Sequence, residues 1–382
     1  MLNQAGISRR KFVELGAGSA AVALVAGLAG CSGGQGSSSA AASSAASSAS
    51  SASAEASASA AGATQTITDL KGDTVEVPTE INKIADLWHA HNQIVLMLGA
   101  GSKLVGTTEN FKKRAWANVV FPDLANVEPL VTGTGAGEVN YEEALKLQPD
   151  VVFASDPDVT DNARKQGLTT VNVMFQDYDG LRNDVNLTAQ VLGAEAQDIA
   201  KEWEQVLDDN INLVAERMKD VADADKVKVL HIVRPDSFTT VDGLNNIVDE
   251  WIKLAGGVNA LTAEGNMIEV TMEDIVNADP EVIIIGSGAA KAVKDLMADK
   301  AWSGITAVKN GAVYANPSGV FAWDRYSGEE ALQVIWAAKK LNPDKFEDID
   351  MEQVTKDFYM QFYGYKLSDD EVAKILNGED PA

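Results

Sequence analysis

The chain holds one cysteine, Cys31, among 382 residues, so it closes no disulfide within one copy and offers no thiolate cluster to a metal. Histidine is nearly as scarce. His89, His91 and His231 are the full set, too few to enclose a free cation by themselves. Lys and Arg number 31 against 56 Asp and Glu, a net charge of −25, which argues against nucleic acid, whose binding needs basic patches to neutralise phosphates. A membrane-spanning helix needs roughly 20 apolar residues, and residues 15–30, mainly Ala and Gly, fall short of that. Also missing are a zinc-protease helix, a phosphate-binding loop ending in Lys-Ser/Thr and a nucleophile elbow, so an exported α/β enzyme is the weaker of the functional classes.

What is present begins at the N-terminus. Arg9, Arg10 and Lys11 stand ahead of the uncharged stretch, the layout of a secretory signal over residues 1–30. Ser8-Arg9-Arg10-Lys11-Phe12 resembles the twin-arginine export signature, although Val13 and Glu14 leave the ordinary secretory route open. Leu28-Ala29-Gly30-Cys31 resembles the bacterial lipobox, which implies a diacylglyceryl group on Cys31. Residues 31–63 would then be a lipidated tether, almost all Ser, Ala and Gly with Glu55, a composition with nothing to bury. Its root-mean-square span is roughly 30 Å by flexible-linker scaling. The expected location is extracytoplasmic, at the outer face of the cytoplasmic membrane.

The folded part carries an internal repeat. Residues 139–145 (VNYEEAL) and 270–276 (VTMEDIV) stand in register, and each copy runs on to a proline and an acid, Pro149-Asp150 and Pro280-Glu281, then to an apolar run. Asn140 and Thr271 are good N-caps with acids in the first turn, and the apolar runs suit a parallel sheet. Between the copies, apolar residues recur at helical spacing from Ile199 and Trp203 to Met218 and Val221, which predicts one long amphipathic helix. Strands are expected at 84–87, 104–107, 151–154 and 170–173, and again at 227–233, 282–285 and 312–315. The reading is α/β: an N-terminal lobe over 66–194, a linking helix over 195–222 and a C-terminal lobe over 226–382. Each lobe holds a parallel sheet flanked by helices, and the ligand cleft lies between the lobes.

These features resemble the substrate-binding lipoproteins of ABC importers for ferric siderophores, haem and cobalamin. The likeness rests on the two repeat copies, the single linking helix, and Trp323-Asp324-Arg325 followed by residues 331–343. It implies a monomeric receptor with little lobe closure, working with a permease and its ATPase. It also implies that Glu142 and Glu273, paired by the repeat, dock on permease arginines; both equally suit helix starts.

Ligand contacts are expected from loops that follow strands. Trp88, His89, His91, Arg114 and Trp116 are the candidates in the first lobe, and Arg234, Asp242, Trp323 and Arg325 those in the second. His89 and His91 suit a metal complex or a structural role; His231 reads as core or rim. Arginine forks suit carboxylate or hydroxamate oxygens, and aromatics cover apolar macrocycles. Trp323 has the core as its alternative, and the run Lys112-Lys113-Arg114 a solvated face. Gly286-Ser287-Gly288 reads as a tight turn rather than a dinucleotide loop, and no intrinsic cofactor is expected. The ligand these residues fit first is an iron complex, ferric siderophore or haem. A corrinoid comes next, then an oxyanion such as molybdate or a metal ion.

Overall fold

The computed structural model describes residues 62–133, 137–286 and 290–381. Cys31, the signal and most of the tether therefore lie outside the described residues, as do Ser287 and Gly288. A hairpin of β1 (Thr64–Thr68) and β2 (Thr74–Pro78) leads into the first sheet. That sheet contains β3 (Ile84–Asp86), β4 (Leu104–Thr108), β5 (Glu128–Thr132), β6 (Glu138–Val139), β7 (Val151–Ala154) and β8 (Thr170–Asn172). Its order is β6-β5-β4-β3-β7-β8, parallel except at the β5–β6 edge. The second sheet contains β9 (Val227–Arg234), β10 (Ser237–Val241), β11 (Gly257–Asn259), β12 (Ile268–Glu269), β13 (Val282–Ile285) and β14 (Val313–Ala315). It runs β12-β10-β9-β13-β14, with β11 also on β9. Here β10 is antiparallel to both its neighbours.

The repeat has a structural cause. Asn140 and Thr271 each cap a seven-residue helix, Tyr141–Leu147 and Met272–Ala278. Both helices end in a left-handed residue, Gln148 at φ 52° and Asp279 at φ 42°. The acid that follows ties the turn to the foot of the neighbouring strand. Asp150 accepts from the backbone N–H of Asn82 and Lys83 at 2.7 and 2.8 Å, and Glu281 from that of Lys228 at 3.0 Å. Lys83 and Lys228 then reach the last-turn carbonyls of Leu147 and Ala278, each at 3.1 Å.

The linking helix is Ala194–Met218, with Trp203, Leu207, Val214 and Met218 turned inward. Gly193 ends the helix before it and starts this one at φ 105°, a conformation that L side chains avoid. The indole of Trp203 donates to the Gly328 carbonyl at 2.7 Å.

The end of the second lobe, expected to run from 226 to 382, also touches the first. The closing helices Met351–Tyr363 and Asp369–Leu376 reach back to the first lobe. Tyr363 meets Phe121 edge-on at 5.7 Å, and the carbonyl of Glu379 accepts from the Trp116 indole at 2.8 Å. The chain end is a strap that joins the lobes a second time, beside the linking helix.

Candidate functional site

Parallel strands leave their C-terminal ends free to carry loops. In both sheets those ends face one cavity of about 510 Å³. The first lobe supplies Trp88 and His89 beyond β3, Ser155 and Asp156 beyond β7, and Arg114. From the second come Arg234 at the end of β9, Met267, and Phe321 and Tyr326 on the segment after β14. Aromatic contacts cross between the lobes: Tyr326 meets Trp88 and Phe175, each at 5.7 Å. Tyr326 sits at φ 61°, a costly backbone conformation for a bulky residue.

Among the described residues, Arg114 is the cleft arginine that forms no ion pair. Its guanidinium lies 4.1 Å over the Phe321 ring, and among the described residues no carboxylate forms an ion pair with it. Burial lowers its pKa, opposed by the more distant Asp324, Asp380 and Glu329. His89 packs 5.6 Å from the same ring. Burial, and then the charge of Arg114, push its imidazole down to about 4, so it is neutral at physiological pH. A cation stacked on an aromatic face beside a neutral imidazole suits an anionic ligand.

The other arginines are differently placed. Arg234 lines the cavity but is exposed and pairs with Asp236 at 3.0 Å. Arg325 lines the floor with its charge spent internally: it donates to Asp242, lies 3.5 Å from Asp324 and reaches Asn266 at 3.0 Å.

Four predicted contacts are displaced from the cleft. His91 is fully buried, with Nδ1 2.7 Å from Asp86 and Nε2 2.9 Å from the Thr188 hydroxyl. Both ring nitrogens are occupied, so it cannot join His89 on a metal. Trp116 is buried beneath the chain end. Trp323 is core, its indole donating to Glu329 at 2.8 Å. Asp242 is buried between His231, at 2.8 Å, and Arg325. Gly286 does form a tight turn: a Cβ there would lie 2.6 Å from the Val233 carbonyl and 2.8 Å from Asp324.

Sequence reasoning missed Phe321, Tyr326, Met174 and Met267, which line the cavity. The first two flank the Trp-Asp-Arg run that had drawn notice, two residues before Trp323 and one after Arg325. Also missed was Glu329, which accepts from Trp323, Tyr359, Tyr363 and the Val320 N–H at 2.8 to 3.2 Å. It thereby fixes the turn that presents Phe321. Burial pushes its carboxyl up to about 7 against those four donors.

Two α/β lobes around an anion-suited cleft define a class, the bilobal ligand-capturing receptors. The family model for the periplasmic binding proteins matches residues 84–319, and the chain belongs to that family. It is similar to the molybdate-binding protein MolA of Haemophilus influenzae, 29% identical over 341 residues that cover 82% of this chain and 94% of the relative. A crystal structure of a periplasmic solute binding protein from Veillonella parvula superposes with a TM-score of 0.72 at 29% identity, covering 82% and 97% of the two chains. The Fe(3+)-citrate-binding protein YfmC of Bacillus subtilis is 28% identical over 204 residues, 50% of this chain and 60% of that one. The protein is thus an extracytoplasmic ABC-transporter substrate-binding protein, not an enzyme; such proteins bring a small molecule to a permease and its ATPase.

Proposed function

We propose that the protein, anchored by a lipid on Cys31, captures an anionic metal chelate of the ferric carboxylate or siderophore kind. Arg114 carries this reading: a desolvated guanidinium without a carboxylate partner among the described residues, in a chain of net charge −25, calls for a negative ligand. The cavity of about 510 Å³ lies within the range of small-molecule pockets, far larger than a tetrahedral oxyanion. Trp88, Phe321 and Tyr326 offer ring faces to the organic part of a chelate. Delivery runs through Glu142 and Glu273, exposed at the starts of the two repeat helices, against basic groups of the permease. A second reading, an oxyanion of the molybdate class, is favoured by the extent of the similarity to MolA.

Tryptophan fluorescence of the full-length protein, with Trp88 on the cleft wall as reporter, separates them under titration with ferric citrate, haem, cyanocobalamin and molybdate. Saturable binding of an iron chelate is expected, weakened about 10- to 100-fold in Arg114→Ala, the worth of a hydrogen bond to a charged group. Binding of molybdate alone establishes the second reading; binding of cobalamin alone defeats both.

A further inference from the structure

We propose that Leu145 and Val276 are the apolar anchors that seat the receptor on its permease, one on each lobe. The inference rests on the docking reading above and adds to it the part of the surface that excludes water. Leu145 is 41% and Val276 51% exposed, two of six large hydrophobics left so open among the described residues. They occupy the same place in the repeat, 276 − 145 = 131, the offset that also relates Glu273 to Glu142 (273 − 142 = 131). Their neighbours Ala144 and Ile275 are fully buried, so each helix already has its inward face supplied. Neither Leu145 nor Val276 belongs to the packed apolar cluster beneath its helix, and each leaves about half of its side chain to solvent.

Position supports the same conclusion. Each helix runs directly into a strand, Val151–Ala154 or Val282–Ile285, whose C-terminal end opens on the cleft. A helix folded back along its following strand begins at that end, so Glu142 and Glu273 mark the cleft rim. Leu145 and Val276 lie one turn further along on the same face. Any partner that receives ligand from the cleft must cover this rim. Acids beside an apolar knob match a protein surface with an apolar pocket bordered by Arg or Lys, in which the charges steer and the desolvated centre holds. A lipid surface fits poorly, because a net charge of −25 is repelled by anionic headgroups.

The test uses the full-length lipoprotein in its own cells. A benzophenone amino acid at position 145 or 276 is expected to cross-link, under light, to a product that mass spectrometry identifies as the permease subunit. In parallel, the double variant Leu145→Asp/Val276→Asp is expected to lower uptake of radiolabelled iron citrate or molybdate about tenfold or more. Ligand affinity and thermal midpoint should be unchanged, and Leu145→Met/Val276→Leu should import normally. Wild-type uptake by the double aspartate variant, or cross-links to lipid or to a second copy only, overturns the proposal. Glu142→Arg/Glu273→Arg serves as the companion. If it abolishes uptake while the aspartate variant imports normally, docking stands and the anchors fall; if both import normally, docking through these helices falls as well.

Discussion

Each lobe buries a histidine between two aspartates, and the two clusters behave in opposite ways. In the first, His91 lies 2.7 Å from Asp86 and 3.4 Å from Asp184; in the second, His231 lies 2.8 Å from Asp242 and 3.2 Å from Asp324. Burial alone would neutralise either imidazole, but the flanking carboxylates prevail and raise both, His91 to about 10. The aspartates diverge. Burial raises Asp86 and Asp184, which share one cation. Burial acts in the same sense on Asp242 and Asp324, but Arg325 and His231 overcome it and lower them. One guanidinium changes a cluster of two carboxylates on one cation into a balanced set of two cations and two anions. It also changes what the cluster serves. Asp86 holds the Trp88 N–H at 3.0 Å and so reaches the cleft through a backbone, whereas Arg325 is itself part of the cleft floor.

The comparison breaks most sharply if one charge is removed from either side. Asp86→Asn leaves the His91 imidazolium against a weakly held Asp184, and Arg325→Met leaves two buried carboxylates with one cation. Each is expected to cost about 3–5 kcal/mol in urea unfolding, the penalty of stranding a buried charge. Only the second should also weaken ligand binding at a protein concentration where both variants are folded.

Changing pH separates the clusters next. The folded-state pKa of His91 lies above the unfolded value near 6.5, so its contribution is complete below about pH 6.5 and is lost as pH rises toward 10. It amounts to at most ~4–5 kcal/mol. Asp242 and Asp324 are lowered, so theirs is present above the unfolded value near 4 and is lost on further acidification. Both imidazoles are raised, so both clusters lose that contribution at alkaline pH, and the acid end is where they part. Native-state hydrogen exchange, corrected for intrinsic rates, should show strand Val227–Arg234 loosening below pH 4 more than helix His91–Met97. Equal loosening of the two below pH 4 would contradict the opposition.

The smallest effect is the most discriminating. Asp184 lies 3.4 Å from the His91 ring against 2.7 Å for Asp86 and has no second cation beside it, so Asp184→Asn should cost about 1 kcal/mol. Asp324→Asn removes an ionised group from the balanced cluster and should cost about 2–3 kcal/mol. Equal costs in denaturant titration would erase the distinction.

Much of this fold was legible because its elements announce themselves locally. The fully apolar runs at 151–154 and 282–285 are strands in place, and the caps Asn140 and Thr271 start their helices. The hairpin was harder to read: Thr64–Thr68 has one apolar residue, Ile67, and Thr74–Pro78 alternates only over Val75 and Val77, too short a pattern to stand out beside the tether. At the site, residue type led to Trp88, His89, Arg114, Arg234 and Arg325, all on the cavity wall. It misled at Trp116 and Trp323, because an indole is as much at home in a core as beside a ligand. The aspartate clusters were invisible for another reason. His91 and Asp184, or His231 and Asp324, stand 93 positions apart in the chain, and nothing near either histidine marks its distant partner.

The strap that closes the chain has a consequence for motion. With the lobes joined by the linking helix and again through Tyr363 and Glu379, a hinge opening of the cleft has two attachments to strain: it must bend the helix and also part the Trp116–Glu379 hydrogen bond or the Phe121–Tyr363 contact.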